Sequence, residues 1–261
     1  MAPTGGKSEA VVLRTYDLRE RDLIAVLLTR ASGKLRAVAR GARGGRLRRF
    51  GGVFLPATVV NLDWFDNRRG ELVRVDECTI VRSYFEDASG DLSLSLTHSC
   101  LLELADGFTE AQDPNDDLYR LLRLCLERSC TAGEGLSAVR RYFEFWLLRL
   151  SGLFPDDDGC ENCGAGLRGN GDIWLHPDRG FCCAPCRDSI PGGYRMDGVM
   201  MERLRLFSGA GLDRVLEATD DEMVKLDARL EKPLLGCLRH HLGREIRSVH
   251  AISALNATEK R

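Results

Sequence analysis

Short apolar stretches with period-two alternation occupy the first 84 residues. Glu9–Thr15 carries the pair Val11-Val12, and Asp22–Arg30 is rich in Leu, Ile and Val. A Ser32-Gly33 turn leads into Lys34-Leu35-Arg36-Ala37-Val38-Ala39-Arg40, where Lys34, Arg36 and Arg40 share one face and apolar residues lie between them. Such alternation gives a strand one wet face and one buried face. Phe54–Phe65 is a further apolar run, with Pro56 marking a bend or edge near its start. After a turn at Asn67–Gly70, Leu72–Val75 alternates again and Cys78–Tyr84 continues the strand. Five short strands separated by turn signals predict a small barrel or sandwich.

From about Ser89 the period changes to that of a helix. Asp91 is placed to cap a helix through Leu92, Leu94, Leu96, Leu101, Leu102 and Leu104. Pro114-Asn115-Asp116-Asp117 opens another, with Leu118, Leu121, Leu122 and Cys125 on one face. A third runs from Gly135 to Leu150, with Val139, Phe143, Trp146, Leu147 and Leu150 on its apolar side, and Gly152 and Pro155 stop it. Residues 156–193 read as an acidic, glycine-rich, cysteine-bearing loop. Two helical stretches follow, Asp197–Phe207 and Asp220–Arg244, the second interrupted at Pro233. The last ten residues read as a frayed end. The expected organisation is a strand domain over 1–82, a first helical part over 83–155, a four-cysteine segment over 156–193 and a second helical part over 194–261. The fold class is therefore α+β and multidomain: a β-barrel, then an all-α domain with an inserted four-cysteine zinc knuckle.

Hydrophobic residues make up 44% of the 261, enough for a core, and the longest apolar runs, such as Phe145–Leu148, are far too short to span a membrane. Charges are spread through the first 30 residues (Lys7, Glu9, Arg14, Asp17), so no secretory signal is expected and the expectation is a cytoplasmic protein. The net charge of -2 hides an asymmetry. Residues 1–82 hold 16 Lys/Arg against 9 Asp/Glu, and residues 83–261 hold 21 against 30. A basic first third attracts phosphates.

The positive charge is concentrated. Arg30, Lys34, Arg36, Arg40, Arg43, Arg46, Arg48 and Arg49 fall in one stretch, and no Asp or Glu occurs from Ala31 to Leu62. Gly41, Gly44 and Gly45 lie among them, and glycine lets a backbone approach a phosphodiester chain while Arg forks onto its oxygens. An ordinary solvated loop is the alternative, but eight cations without a counter-charge favour a shared polyanion. A cationic track on a small barrel suits single-stranded nucleic acid. Tyr16, Phe50, Phe54, Trp64 and Phe65 are read first as core residues and second as base-stacking candidates.

Ten cysteines are present, six of them scattered: Cys78, Cys100, Cys125, Cys130, Cys182 and Cys237. The other four form Cys160-Glu-Asn-Cys163 and Cys183-Ala-Pro-Cys186, nineteen residues apart. Two residues between cysteines allow a tight turn to aim both sulfurs at one point. Two such turns give four thiolates in a tetrahedron, the arrangement of a structural zinc site with no open position for water. Cys182 is the alternative to Cys183, and His176 a more distant one. The Gly164-Ala-Gly166-Leu-Arg-Gly169 match to a dinucleotide fingerprint lies between metal cysteines and follows no strand, so it is rejected. Gly5-Gly6-Lys7-Ser8 lacks the first glycine of a phosphate loop, no Gly-x-Ser-x-Gly elbow occurs, and His240-His241 is not part of a His-Glu-x-x-His pattern. A non-enzymatic protein is expected.

Three segments in order carry a resemblance. They are Val12-Leu13-Arg14 through Asp22 to Leu28 with Gly33-Lys34 and Val38-Ala39-Arg40-Gly41; Arg140-Arg141-Tyr142-Phe143-Glu144 through Leu147-Leu148 to Gly152 and Pro155; and the cysteine knuckle. Over nearly its whole length the chain resembles the bacterial RecO family of DNA repair and recombination mediators. Relatives are expected to carry a Ser/Lys-containing run near residues 43–49, where this chain has Arg-Gly-Gly-Arg-Leu-Arg-Arg. The resemblance implies an N-terminal OB-fold that binds single- and double-stranded DNA and anneals complementary strands. It implies partnership with RecR, and help to RecA in replacing single-strand-binding protein on gapped DNA. It also implies that the helical part holds the acidic tail of single-strand-binding protein. Arg140 and Arg141 are the candidates for that contact, the competing reading being that they are solvated or pair with Glu144. Two other classes stay open: an RNA-binding OB/zinc protein, and a metal-dependent nuclease.

Overall fold

The computed structural model describes residues 5–18, 20–42, 50, 52–66, 72–167, 172–189 and 192–259, with the backbone alone at 188–189 and 256–259. The chain divides into two compact units, 1–130 with 247–261, and 131–246. The first begins with β1 (Gly5–Asp17), β2 (Leu23–Thr29), β3 (Gly33–Ala39), β4 (Thr58–Phe65) and β5 (Leu72–Ser83). They close into a barrel in the order β1-β2-β3-β5-β4, with β3 and β5 parallel and the other pairs antiparallel. This is an OB-fold barrel, and all the strands read from the sequence are present. Ala10, Val12, Ala25, Leu27, Leu35, Ala37, Ala39, Val60, Leu62, Trp64, Val73 and Val75 fill its interior, joined by Phe50, Val53 and Phe54 from the β3–β4 connection. Four alanines among the inward positions leave room for the large rings.

The outer side of the wall is also buried in part. Val11, Val26, Leu28 and Val59 point away from the interior core and are nonetheless excluded from solvent. Helices α1 (Tyr84–Asp87), α2 (Leu92–Gly107) and α3 (Asp116–Ser129) follow the barrel, and α2 packs on β1. Asp91 and Asn115 cap α2 and α3 by accepting from the Leu94 and Leu118 amides at 2.9 Å each. Polar bonds fix this layer to the strands. Glu9 accepts from the Tyr119 hydroxyl at 2.7 Å and from Arg123 at 2.6 Å, and burial together with the Glu9 bond pushes the Tyr119 phenol upward. Arg30 Nε donates to Asp116 at 2.7 Å. The α2–α3 connection runs beside β3, where the Gln112 amide donates to the Lys34 carbonyl at 3.0 Å. Gly33 makes this approach possible: its φ is +67°, and a Cβ there would sit 2.2 Å from the Asp113 carbonyl oxygen.

The second unit contains α4 (Leu136–Leu150), a sheet of β6 (Ile173–His176), β7 (Gly180–Cys183) and β8 (Tyr194–Met196), then α5 (Gly198–Gly209), α6 (Leu212–Glu217) and α7 (Asp221–Leu242). Phe145 packs edge-on against Trp146 and Phe154, and Phe154 against Phe181. A buried ion pair joins α5 to α7, with Arg203 donating to both Asp227 oxygens at 2.9 and 2.8 Å. The reading of residues 156–193 as loop is corrected: β6 and β7 lie there and β8 follows directly, forming the β7-β6-β8 sheet, with Ile173, Leu175 and Phe181 buried. The break expected at Pro233 is also absent. Helix α7 continues through it, because Leu226, Leu230, Leu234, Leu235 and Leu238 stay buried on one face and their packing outweighs one lost backbone bond. The frayed end is corrected too. Residues 247–259 form α8 (Arg247–Glu259), which returns to the first unit against α2. Glu103 of α2 accepts from the Arg247 and Ser248 amides at 3.1 and 2.9 Å and from the Ser248 hydroxyl at 2.8 Å.

Two expectations follow. Gly33→Ala should lower the melting temperature of the first unit by a loss of about 2 kcal/mol or more, since both the φ and the space are wrong for a side chain. Thermal unfolding with near-parental stability would disprove that. His98, buried between α2 and α3 with Nε2 2.8 Å from Ser129 Oγ, is driven by desolvation down to about 4. It stays neutral when folded but takes a proton when unfolded near 6.5, so its contribution is intact above 6.5 and is lost as pH falls toward 4. Denaturant midpoints across that range should fall, by up to about 3 kcal/mol from this group, and the fall should shrink in His98→Phe.

Candidate metal centre and nucleic-acid interface

The metal centre is assembled from a turn and a strand end. After Gly159, the Cys160 amide donates to the Ala165 carbonyl and the Gly164 amide to the Cys160 carbonyl, each at 2.8 Å, with Gly164 at φ +72°. This tight turn aims Cys160 and Cys163 the same way. A Glu161 amide bond to the Phe181 carbonyl at 2.9 Å sets the turn against β7. Cys183 ends β7, and Cys186 lies one 3-10 turn later in Ala184–Ser189. The four sulfurs of Cys160, Cys163, Cys183 and Cys186 all lie within 4.8 Å of one another, the one such group of ligand side chains among the described residues. Cys163 and Cys183 are 3.7 Å apart. A tetrahedral ion with sulfur bonds of about 2.3 Å needs sulfurs about 3.8 Å apart, so the donor set fits.

The surroundings favour thiolates. Burial alone would raise the Cys160 thiol, yet the amides of Cys183, Cys163 and Asn162 donate to its sulfur and bring it down to about 6. Asn162 Nδ2 donates to Cys186 Sγ at 3.3 Å. Cys183, not Cys182, belongs to the group. Neighbouring strand residues point to opposite sides, and burial with the nearby Cys160 pushes the Cys182 thiol up to about 11. His176 is buried at the end of β6 and stands outside the group.

The barrel surface shows where the basic residues fall. Register pairs Arg14 with Val26 and Val26 with Arg36, making one outer row across three strands; Tyr16, Ile24 and Val38 make the next. Arg36 and Arg40 are exposed, and the Gly41 amide donates to Asp22 at 2.9 Å where the track leaves β3. Lys34 lies one row closer to the helices. Its ammonium donates to the Asp106 carbonyl at 2.7 Å and to Asp106 Oδ1 at 3.2 Å, which closes the last turn of α2. Arg43, Arg46, Arg48 and Arg49 lie outside the described residues. Of the aromatic candidates, Phe50, Phe54 and Trp64 are core, as read first, while Tyr16 and Phe65 are exposed. Arg14 is the residue that sequence reasoning passed over. It lies apart from the Arg30–Arg49 run, and only its phase with Tyr16 along β1 could have flagged it.

On α4, Arg141 is 2% exposed, with its guanidinium held by Glu144 at 2.7 Å and Glu231 at 3.1 Å. This is the pairing at helical spacing read as the alternative. Burial pushes the Glu144 carboxyl up to about 7, with Arg141 acting against it. Arg140 is half-buried on the same helix. No helix among the described residues is long and apolar enough to cross a membrane.

Comparison with known proteins covers both halves of the chain. The Recombination protein O N-terminal family matches residues 1–84, and the Recombination protein O C-terminal family matches residues 89–250. The DNA repair protein RecO of Koribacter versatilis is 37% identical over 179 residues, covering 68% of this chain and 71% of that protein. The DNA repair protein RecO of Anaeromyxobacter sp. strain K is 34% identical over 244 residues, 92% of each chain. That of Myxococcus xanthus is 33% identical over 243 residues, 92% of this chain and 94% of its own.

Cysteine variants should sort by geometry. Cys163→Ser should lower bound metal per chain in elemental analysis and raise protease cleavage of the second unit, whereas Cys182→Ser should keep its metal. Equal metal content in the two variants would remove the assignment.

Proposed function

The chain belongs to the RecO family, and on that premise we propose that it is a recombination mediator in DNA repair acting without covalent chemistry. The carrying observation is the exposed pair Arg36 and Arg40 on the outer face of an OB-fold barrel, continuous in sequence with Arg43, Arg46, Arg48 and Arg49. In this reading these residues take phosphates of single- and double-stranded DNA, with Lys34 at the helix-bound end of the track. Annealing needs only that two polyanions be held together. A cationic surface lowers their repulsion and raises the local concentration of each strand for the other.

The mediator reading extends to partners. The protein works with RecR, and through it assists RecA in displacing single-strand-binding protein. The acidic tail of that protein is assigned to the helical part, at Arg140 or Arg141, the second of which also pairs with Glu144 and Glu231. The ion of the cysteine centre is assigned as one structural Zn2+ per chain: four sulfur donors and no open position suit it, and its chemistry there is to hold β7 against the 160–163 turn. The place of action is the cytoplasm, at the nucleoid.

Reversing the charge of Arg36 and Arg40 together should weaken binding to a labelled oligonucleotide at least tenfold at low salt and flatten its salt dependence by about 0.7 per lost phosphate contact on a single strand. Parental affinity in that variant would rule out the track. Annealing of complementary strands coated with single-strand-binding protein tests the mediator role. Equal preference for matched RNA would favour an RNA-binding role, and product from labelled DNA with magnesium a nuclease.

A further inference from the structure

Asp106, near the end of α2, reaches two cations of the barrel's outer face. Its Oδ2 lies 2.9 Å from Arg14 Nη2 and its Oδ1 3.2 Å from Lys34 Nζ, with only 10% of its side chain exposed. Arg14 is different: 53% of its side chain is exposed, and its guanidinium carbon stands 4.9 Å from the centre of the Tyr16 ring. Tyr16 keeps 41% of its surface in solvent at the β1–β2 end of the barrel. The register sets Arg14 in the row of Arg36, two strands away, so about 10 Å separates their backbones across the sheet.

An exposed guanidinium beside an exposed ring, in line with a further exposed Arg, is the pairing a nucleotide unit meets on single-strand-binding barrels. The cation takes a phosphate and the ring takes a base. A duplex keeps its bases stacked inward and could use only the first of these. We infer that Arg14 and Tyr16 form a subsite for one nucleotide of a single strand, and that Asp106 holds the phosphate position from within the chain. The inference rests on the nucleic-acid reading above. A strand entering the subsite exchanges one anion for another at Arg14, so the carboxylate holds affinity down without blocking the rest of the track. Lys34 keeps its bond to the Asp106 backbone oxygen, 2.7 Å, whatever becomes of the side chain, so α2 stays tied to β3 during that exchange.

The test is titration of a fluorescent oligothymidylate and of a duplex of equal length, at several salt concentrations, into the full chain and its variants. Asp106→Asn should bind the single strand severalfold more tightly, with a salt slope steeper by about 0.7, the increment of one more phosphate contact. Adding Arg14→Ala to that variant should cancel both changes. Tyr16→Ala should weaken the single strand by roughly tenfold and leave the duplex unchanged. Glu86→Gln, which removes an exposed acid of the same unit, should match the parent and so exclude a general charge effect. Asp106→Asn binding no more tightly than the parent overturns the inference, as does Tyr16→Ala binding the single strand as well as the parent. The second result decides even if Asp106→Asn is destabilised, since Tyr16 is at the surface. A parent that binds no oligonucleotide defeats the nucleic-acid reading itself, which is a separate failure.

Discussion

The wall of the barrel is buried from both sides along β1 and β2, and the location of the proposed nucleic-acid surface depends on this. A small closed sheet always hides its inner residues. Here Val11, Val26, Leu28 and Val59 on the outer side are hidden as well, and α2 packs on β1. That second interface removes Lys34 from open solvent and commits Arg30 and Lys34 to carboxylates of the helices. The strip proposed to meet a ligand is Arg14, paired with Asp106 yet half exposed, with the exposed Arg36, Tyr16 and Arg40. In the proposed reading, the position of the cations relative to the helices, more than their number, decides which of them meet a phosphate.

The second unit handles polarity differently. Between its helices it buries Arg203 of α5 with Asp227 of α7, and it sets Arg141 of α4, already paired with Glu144 on its own helix, against Glu231 of α7, where bonds from both partners are needed to offset desolvation. Such pairs add little net stability but penalise any helix register that separates them. The cysteine segment has a small apolar set of its own, Ile173, Leu175 and Phe181. For a piece of chain so rich in glycine and aspartate, four sulfurs converging on one point give the short strands a common anchor.

Much of the fold was legible because its signals are local. The in-phase cations of β3, the caps Asp91 and Asp220 and the twin Cys-x-x-Cys pairs all act within a few residues of where they stand. The failures share the opposite character. Helix α8 is capped by Glu103, 144 residues away in sequence, so nothing near Arg247 announces it. Pro233 would break an isolated helix, and only the apolar face it packs with overrides that. The β6–β8 sheet alternates at Ile173-Trp174-Leu175-His176, but the surrounding glycines and acids masked so short a signal. For the site, composition located the basic run, yet which residues of it are engaged by α2 and α3, and that Arg14 joins the same row, depend on strand register and helix docking.

The return of α8 has a consequence for biosynthesis. The ribosome delivers residues 131–246 between α3 and the helix that completes the unit α3 belongs to. At ordinary elongation rates this leaves α2 without its last neighbour for on the order of ten seconds. During that interval α2 carries an uncovered flank, and Glu103 waits in water for the two amides it will finally hold. A chaperone or a premature association would find its opening there, before α8 seals it.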